Sequence, residues 1–451
     1  MKRSLILVIA GLLPLAGKAA EIPPAGLTLP VAVERALARF PSVAAARAQQ
    51  RQAQEGLAAA EGARGPRGVL NGWATQYQKP TVVGPIHGFS PGQFPDFDRT
   101  VLQGQFSTSY TLWDGGATGA RIAAAGSQVG GAEAALGAAE QDLAARVAAA
   151  YLTALGKART LAAHDQRLAA LEAELARARR LLDAGKAPQV EVIRAEANLA
   201  GARSQRVSLA AALDNAERDL ARLLDAPVEE TRAPRLAPER LKDPAPPDRE
   251  ALAKAAIERS PAVAQARAQL AMAEANVTLA VSALRPELRA VANLNDWASS
   301  KGNADTEWNA GLQVTVPLFD GGTVRRRIAQ AQAGRAAAAE QVRLADAQVR
   351  EAIDRAAAAA EEAQARIESL ARAADRYAEV ARVQKLLLDN GAGTQTDYLA
   401  AEADLLTARA SLAEGEQAVV LTRVDLARAA GRLTLDWLNA NLETPPLETR
   451  P

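Results

Sequence analysis

The chain has 451 residues, with 53 Lys and Arg against 52 Asp and Glu, so it carries no basic surplus that would attract nucleic acid. It has no Cys and only two His, which excludes thiol chemistry, disulfides and a Cys/His metal cluster. Aromatic residues make up 4% of the chain, while Ala, Leu, Glu and Arg dominate, a composition suited to long helices.

Lys2 and Arg3 precede an apolar run from Leu5 to Leu15, followed by small residues around Gly17 and Ala19. Residues 1–20 are therefore expected to be a signal peptide that exports the chain. No later run is long and apolar enough to form a transmembrane helix, so entry into a membrane would require a β-barrel.

A first repeat is expected over 21–226. It opens with the helical stretch "LTLPVAVERALARFPSVAAARAQ" from Leu27 and continues into a hairpin over 67–113, with strands at 67–78 and 103–113. In the second strand Phe106, Thr108, Tyr110 and Leu112 alternate with Gln105, Ser107, Ser109 and Thr111, the period of a strand with two unlike faces. "TLWDGGATGARIAAA" (111–125) then turns the chain into a helix, with Asp114 capping it and Gly115 and Gly116 supplying positive φ. No proline occurs from Gly115 to Ala187, and a helix over 117–184 would run roughly 100 Å. Leu161, Leu168, Leu175 and Leu182 form a heptad seam, in which His164 is expected to pack rather than bind a ligand. In "LLDAGKAPQVEV", Gly185 ends this helix in a left-handed residue, and Glu191 opens the next, over 189–225. The Pro-rich stretch 227–247 reads as a linker.

The second repeat, 248–438, retells the first. "REALAKAAIERSPAVAQARAQL" begins at Arg249, and a hairpin follows over 287–318. There Trp308, Ala310, Leu312, Val314, Val316 and Leu318 alternate with Asn309, Gly311, Gln313 and Thr315. "PLFDGGTVRRRIAQA" (317–331) repeats the turn with Asp320, Gly321 and Gly322, and a helix over 323–390 follows. "LLDNGAGTQTDY" repeats the tip with Gly391 and Asp397, and the last helix is expected over 394–438, followed by a tail at 439–451. The spacing that separates Asp114 from Asp320 also separates Gly185 from Gly391. Trp308, Leu312, Val314, Val316, Phe106 and Tyr110 are expected to face outer-membrane lipid, with Trp73, Trp297 and Trp308 near strand ends as an interfacial aromatic girdle. Four strands of this length can cross an outer membrane but cannot close a barrel, whereas three copies supply twelve.

The doubled strand-to-helix motif, the doubled tip and the two helical openings resemble the TolC family of outer-membrane efflux proteins over nearly the whole mature chain. The resemblance implies a mainly α fold with a small β part. In it a homotrimer forms a twelve-stranded outer-membrane β-barrel, continued into the periplasm by a long α-helical coiled-coil barrel. It further implies an exit duct, without catalysis or cofactor, that meets an inner-membrane transporter through a periplasmic adaptor (membrane fusion) protein. On the same resemblance the tip turns at Gly185, Lys186, Gly391 and Gly393 dock the adaptor or pump, and Asp397 and Glu191 lie at the periplasmic aperture. Gly393 stands where some relatives carry an Arg that links neighbouring helices in the closed state. The other reading of this pattern is a periplasmic coiled-coil adaptor or tether without a pore. Methionine is confined to Met1 and Met272, which argues against a thioether route for Cu(I) or Ag(I).

Overall fold

The computed structural model describes residues 27–86, 92, 94–242, 249–302 and 304–443, so the expected signal peptide and most of the expected tail lie outside the described residues. The elements in chain order are α1 (Leu29–Arg39), α2 (Pro41–Gly62), β1 (Arg67–Val82), β2 (Phe97–Trp113), α3 (Ala117–Asp183), α4 (Gln189–Leu224) and β3 (Arg240–Leu241). They continue with α5 (Arg249–Arg259), α6 (Pro261–Ser282), β4 (Glu287–Ser299), β5 (Ala304–Thr315), α7 (Thr323–Asp389), α8 (Gln395–Ala429), α9 (Leu435–Asn441) and β6 (Leu442–Glu443). Each opening stretch is thus two helices rather than one. Ser260 and Phe40 are extended (ψ 124° and 132°) because a residue before proline avoids the helical region, and Pro41 and Pro261 then begin the next helix.

The chain divides into two compact units that cut across the repeats. One, Ala45–Ala139 with Glu250–Ile353, holds a four-stranded antiparallel sheet in the order β1-β2-β4-β5. Among the described residues, β1 pairs only with β2 and β5 only with β4, so the sheet has two open edges. The first hairpin is longer than its alternation suggests. Thr81 pairs with Asp98 and Val82 with Phe97 beyond an irregularity after Gln76. That break accommodates Pro80, which has no N–H for a ladder. The second hairpin is shorter: β5 ends at Thr315, so Val316 and Leu318, expected on the strand, lie past it, next to Pro317.

The other unit takes in 27–44, 140–249 and 354–443 of the described chain. Its heptad residues pack as expected: Leu168 and Leu171 of α3 bury against Leu199 and Ala202 of α4, and Ala381 of α7 against Ala401 and Leu405 of α8. His164 is buried in this seam with Nε2 2.8 Å from the Ala202 carbonyl oxygen. The Pro-rich stretch, expected as a linker, is a packed strap over its described part. Leu27 bridges Leu236, the buried Tyr151 hydroxyl lies 2.7 and 2.6 Å from the carbonyl oxygens of Leu27 and Ala237, and Glu239 accepts a hydrogen bond from the Leu29 amide. β3 then pairs with β6, tying the start of the expected tail into the unit. The last long helix stops at Ala429 instead of 438, because Gly431 (φ 64°) closes it and Thr434 caps the short α9.

Candidate functional site: a two-faced sheet, its turns and the helix tips

Residues paired across a sheet share a face, so the register sorts the side chains. Leu70, Phe106, Leu294 and Trp308 form one row across all four strands. Tyr110, Ala290 and Leu312 form another on the same face. Leu70, Trp308 and Leu312 are strongly exposed, at 78%, 74% and 69%. The opposite face carries the rows Val69–Ser107–Asn293–Asn309 and Asn71–Gln105–Asn295–Glu307. There Gln105 Nε2 donates to Asn295 Oδ1 and Asn293 Nδ2 to Asn309 Oδ1, both at 2.9 Å.

Phe106, Tyr110, Trp308, Leu312 and Val314 therefore share one apolar face, as expected, and Val316 falls outside the strand. The expected girdle is corrected. Trp73 and Trp297 flank Gln103 in a row of the polar face, opposite to Trp308, which stands inside β5 rather than at its end. One aromatic that the alternation leaves unassigned joins the apolar face. A shift in register between Thr111 and Trp113 re-phases β2 and sets Trp113 in a row with Leu288 and Val314 on the apolar face.

Both strand-to-helix turns have the expected form. Asp114 Oδ1 accepts from the Gly116 amide (3.1 Å), and Oδ2 accepts from the Thr118 amide and hydroxyl (2.6 Å each). Asp320 accepts from the amides of Gly322 (2.9 Å) and Val324 (2.6 Å). Gly115, Gly116, Gly321 and Gly322 all have positive φ, 67°, 97°, 64° and 84°. Burial pushes the Asp114 carboxyl up, but the bonds from Thr118 and Gly116 outweigh it and hold it below the usual range. The amides of Val324 and Gly322 likewise hold Asp320 down. The turns differ in one respect that the repeat does not reveal. Arg285 Nη1 donates to the Gly115 carbonyl oxygen (2.7 Å), and a Cβ at Gly115 would lie 2.6 Å from that of Arg285, whereas around Gly321 the space is open.

At the tips Gly185 (φ 69°) and Gly391 (φ 71°) end α3 and α7 in matching Schellman motifs. Gly185 N donates to Leu182 O and Lys186 N to Leu181 O; Gly391 N donates to Leu388 O and Ala392 N to Leu387 O. Gly393 answers a different need, since a Cβ there would come within 3.0 Å of the Leu387 Cβ. Thr394 caps α8: its hydroxyl accepts from the Asp397 amide (3.1 Å) and donates to Asp397 Oδ2 (2.6 Å). Glu191 instead pairs with Arg194 at 3.3 Å. Close by, Tyr398 donates to Glu402, and burial with that carboxylate pushes its phenol up to about 12.

Residues 32–226 and 252–432 match the outer membrane efflux protein family, and the chain belongs to that family. It is 27% identical over 373 residues to the outer membrane efflux protein BepC of Brucella suis biovar 1, across 80% of this chain and 78% of the relative. Its fold resembles that of a membrane protein from Pseudomonas aeruginosa, with a TM-score of 0.75 at 23% identity, over 89% of this chain and 93% of that one. It also resembles the outer membrane protein VceC of Vibrio cholerae, with a TM-score of 0.73 at 19% identity, over 89% and 96% of the two chains.

Proposed function

We propose that the protein is the exit duct of a tripartite efflux or secretion machine, in which three copies close one outer-membrane barrel and conduct cargo passively. The observation that carries this reading is the sheet: one face apolar and exposed, the other polar, and both edges open. Lipid suits the first face and water the second, and joining β5 of one copy to β1 of the next preserves the antiparallel order around a twelve-stranded ring. A periplasmic tether would leave Leu70, Trp308 and Leu312 in water, so the face favours the duct.

Residues 1–20 serve as the export signal. The tips at Gly185, Lys186, Gly391 and Gly393 meet the periplasmic adaptor and the inner-membrane transporter, which supplies the energy. Asp397 lines the aperture. Its carboxylate has a hydroxyl partner but no ion pair among the described residues, whereas the charge of Glu191 is offset by Arg194. Three copies would set an acidic ring on the axis.

Mass measurement of the detergent-solubilised protein should give a trimer, and planar bilayers should show conductance. A stable folded monomer would overturn the shared barrel. In the same bilayers Asp397→Asn should lower cation selectivity and divalent-cation block, while Glu133→Gln, elsewhere on α3, should leave both as they are. Equal behaviour of the two variants would reduce Asp397 to a helix cap.

A further inference from the structure

Five arginines line one cavity of about 770 Å3 where the strands give way to the helices. Arg67 and Arg289 stand on the polar sheet face, in the rows Arg67–Ser109–Val291–Gly311 and Thr111–Arg289–Gln313. Arg121 and Arg327 hold matching places near the starts of α3 and α7, and Arg285 lies between α6 and β4. Two carboxylates also line the cavity, Asp114 and Glu287. Both are engaged, Asp114 with the turn amides and the Thr118 hydroxyl, and Glu287 with Arg289 at 2.7 Å. Arg285 is held by the Gly115 carbonyl. Arg67, Arg121 and Arg327 have no partner among the described residues.

Asp114 and Asp320 accept amide hydrogen bonds at the starts of α3 and α7 and so offset the positive ends of those dipoles, while neither first turn adds an acidic residue that would pair with Arg121 or Arg327. The surplus therefore lies with the arginines rather than with the helix ends. An anion between the arginines would supply the partner that Arg67, Arg121 and Arg327 lack among the described residues.

We propose that this cavity is an anion site on the conducting path, which takes organic anions bearing carboxylate, sulfonate or phosphate groups. The inference rests on the reading of the polar face as the interior of the duct. Guanidinium groups match such oxyanions with paired hydrogen bonds, and the volume suits a small organic molecule. Threefold symmetry would repeat the surplus at one level, where a narrow water-filled passage focuses its field.

Two measurements on the full-length detergent-solubilised protein test this independently. The first is fluorescence anisotropy of pyrenetetrasulfonate, a tetra-anion, against a neutral pyrene alcohol. The second is the bilayer reversal potential in a salt gradient. Wild type should bind the tetra-anion in a salt-sensitive way, and the double variant Arg121→Gln, Arg327→Gln should weaken binding about tenfold or more and shift the reversal potential toward cations. Arg326→Gln, on the same helix but off the cavity lining, should change neither. If the double variant fails to assemble, Arg67→Gln, on a strand, carries the same expectation. Conductance with binding and selectivity indifferent to these arginines would overturn the anion site and leave the duct standing. Arginine-dependent binding without conductance would keep the site and overturn its place on a conducting path.

Discussion

Asp114 spends both carboxylate oxygens on three donors of the next helical turn, and that places it among the few side chains whose titration bears on folding. Because its folded pKa lies below the ordinary value, its stabilisation is present above the usual Asp range near ~4 and is lost as pH falls through the depressed value. Thermal unfolding should therefore show Asp114→Ala costing about 1 kcal/mol at neutral pH, with the gap to wild type narrowing in acid. A constant gap would mean that the carboxylate charge contributes nothing. Asp225 offers the reverse case. It ends α4 at φ 48°, in the place where Gly431 (φ 64°) ends α8. Asp225→Gly should stabilise by roughly 0.5 kcal/mol, relief of the left-handed strain being partly offset by a more flexible unfolded chain, and calorimetry reads the sign. The turn and tip residues were legible because glycine and aspartate there answer local backbone needs. Arg285 was not, since its hold on Gly115 depends on chain 170 residues away.

At the scale of the element, alternation located the sheet because a strand between unlike surroundings must repeat every two residues. It failed wherever the period slipped. The ladder resumes at Thr81, past the end at 78 that alternation gives the first strand, and the register shift beside Trp113, which leaves no mark in the sequence, puts that ring on the apolar face against its parity. The helix count failed for a related reason: Pro41 and Pro261 sit inside stretches whose composition stays helical. Side selection can be tested directly. Leu312→Arg should cost about 2–4 kcal/mol if that face meets the middle of a bilayer, while Gln313→Arg, one residue on and on the opposite face, should assemble normally. Heat-resistant trimer on a gel is a sufficient readout, and equal defects from both would show that the faces have been assigned to the wrong surroundings.

For the whole molecule, internal repetition was the most legible feature, since two copies of each motif in one register leave few alternative architectures. The strap over 228–241 was less legible. Its prolines read as a loose connection, whereas Thr231, Leu236, Ala237 and Glu239 are buried by packing that no local pattern announces. The two open edges, β1 with 16 residues and β5 with 12, carry a genetic consequence. A copy in which β5 is spoiled, for instance by proline in place of Asn309, still offers a sound β1. On the three-copy reading it would join a growing ring by one side and prevent its closure by the other. Such an allele would be dominant. Co-expressed with wild type, it should depress efflux well below half, since only about one ring in eight drawn from equal pools contains no spoiled copy. A deletion of the whole chain would instead behave as recessive.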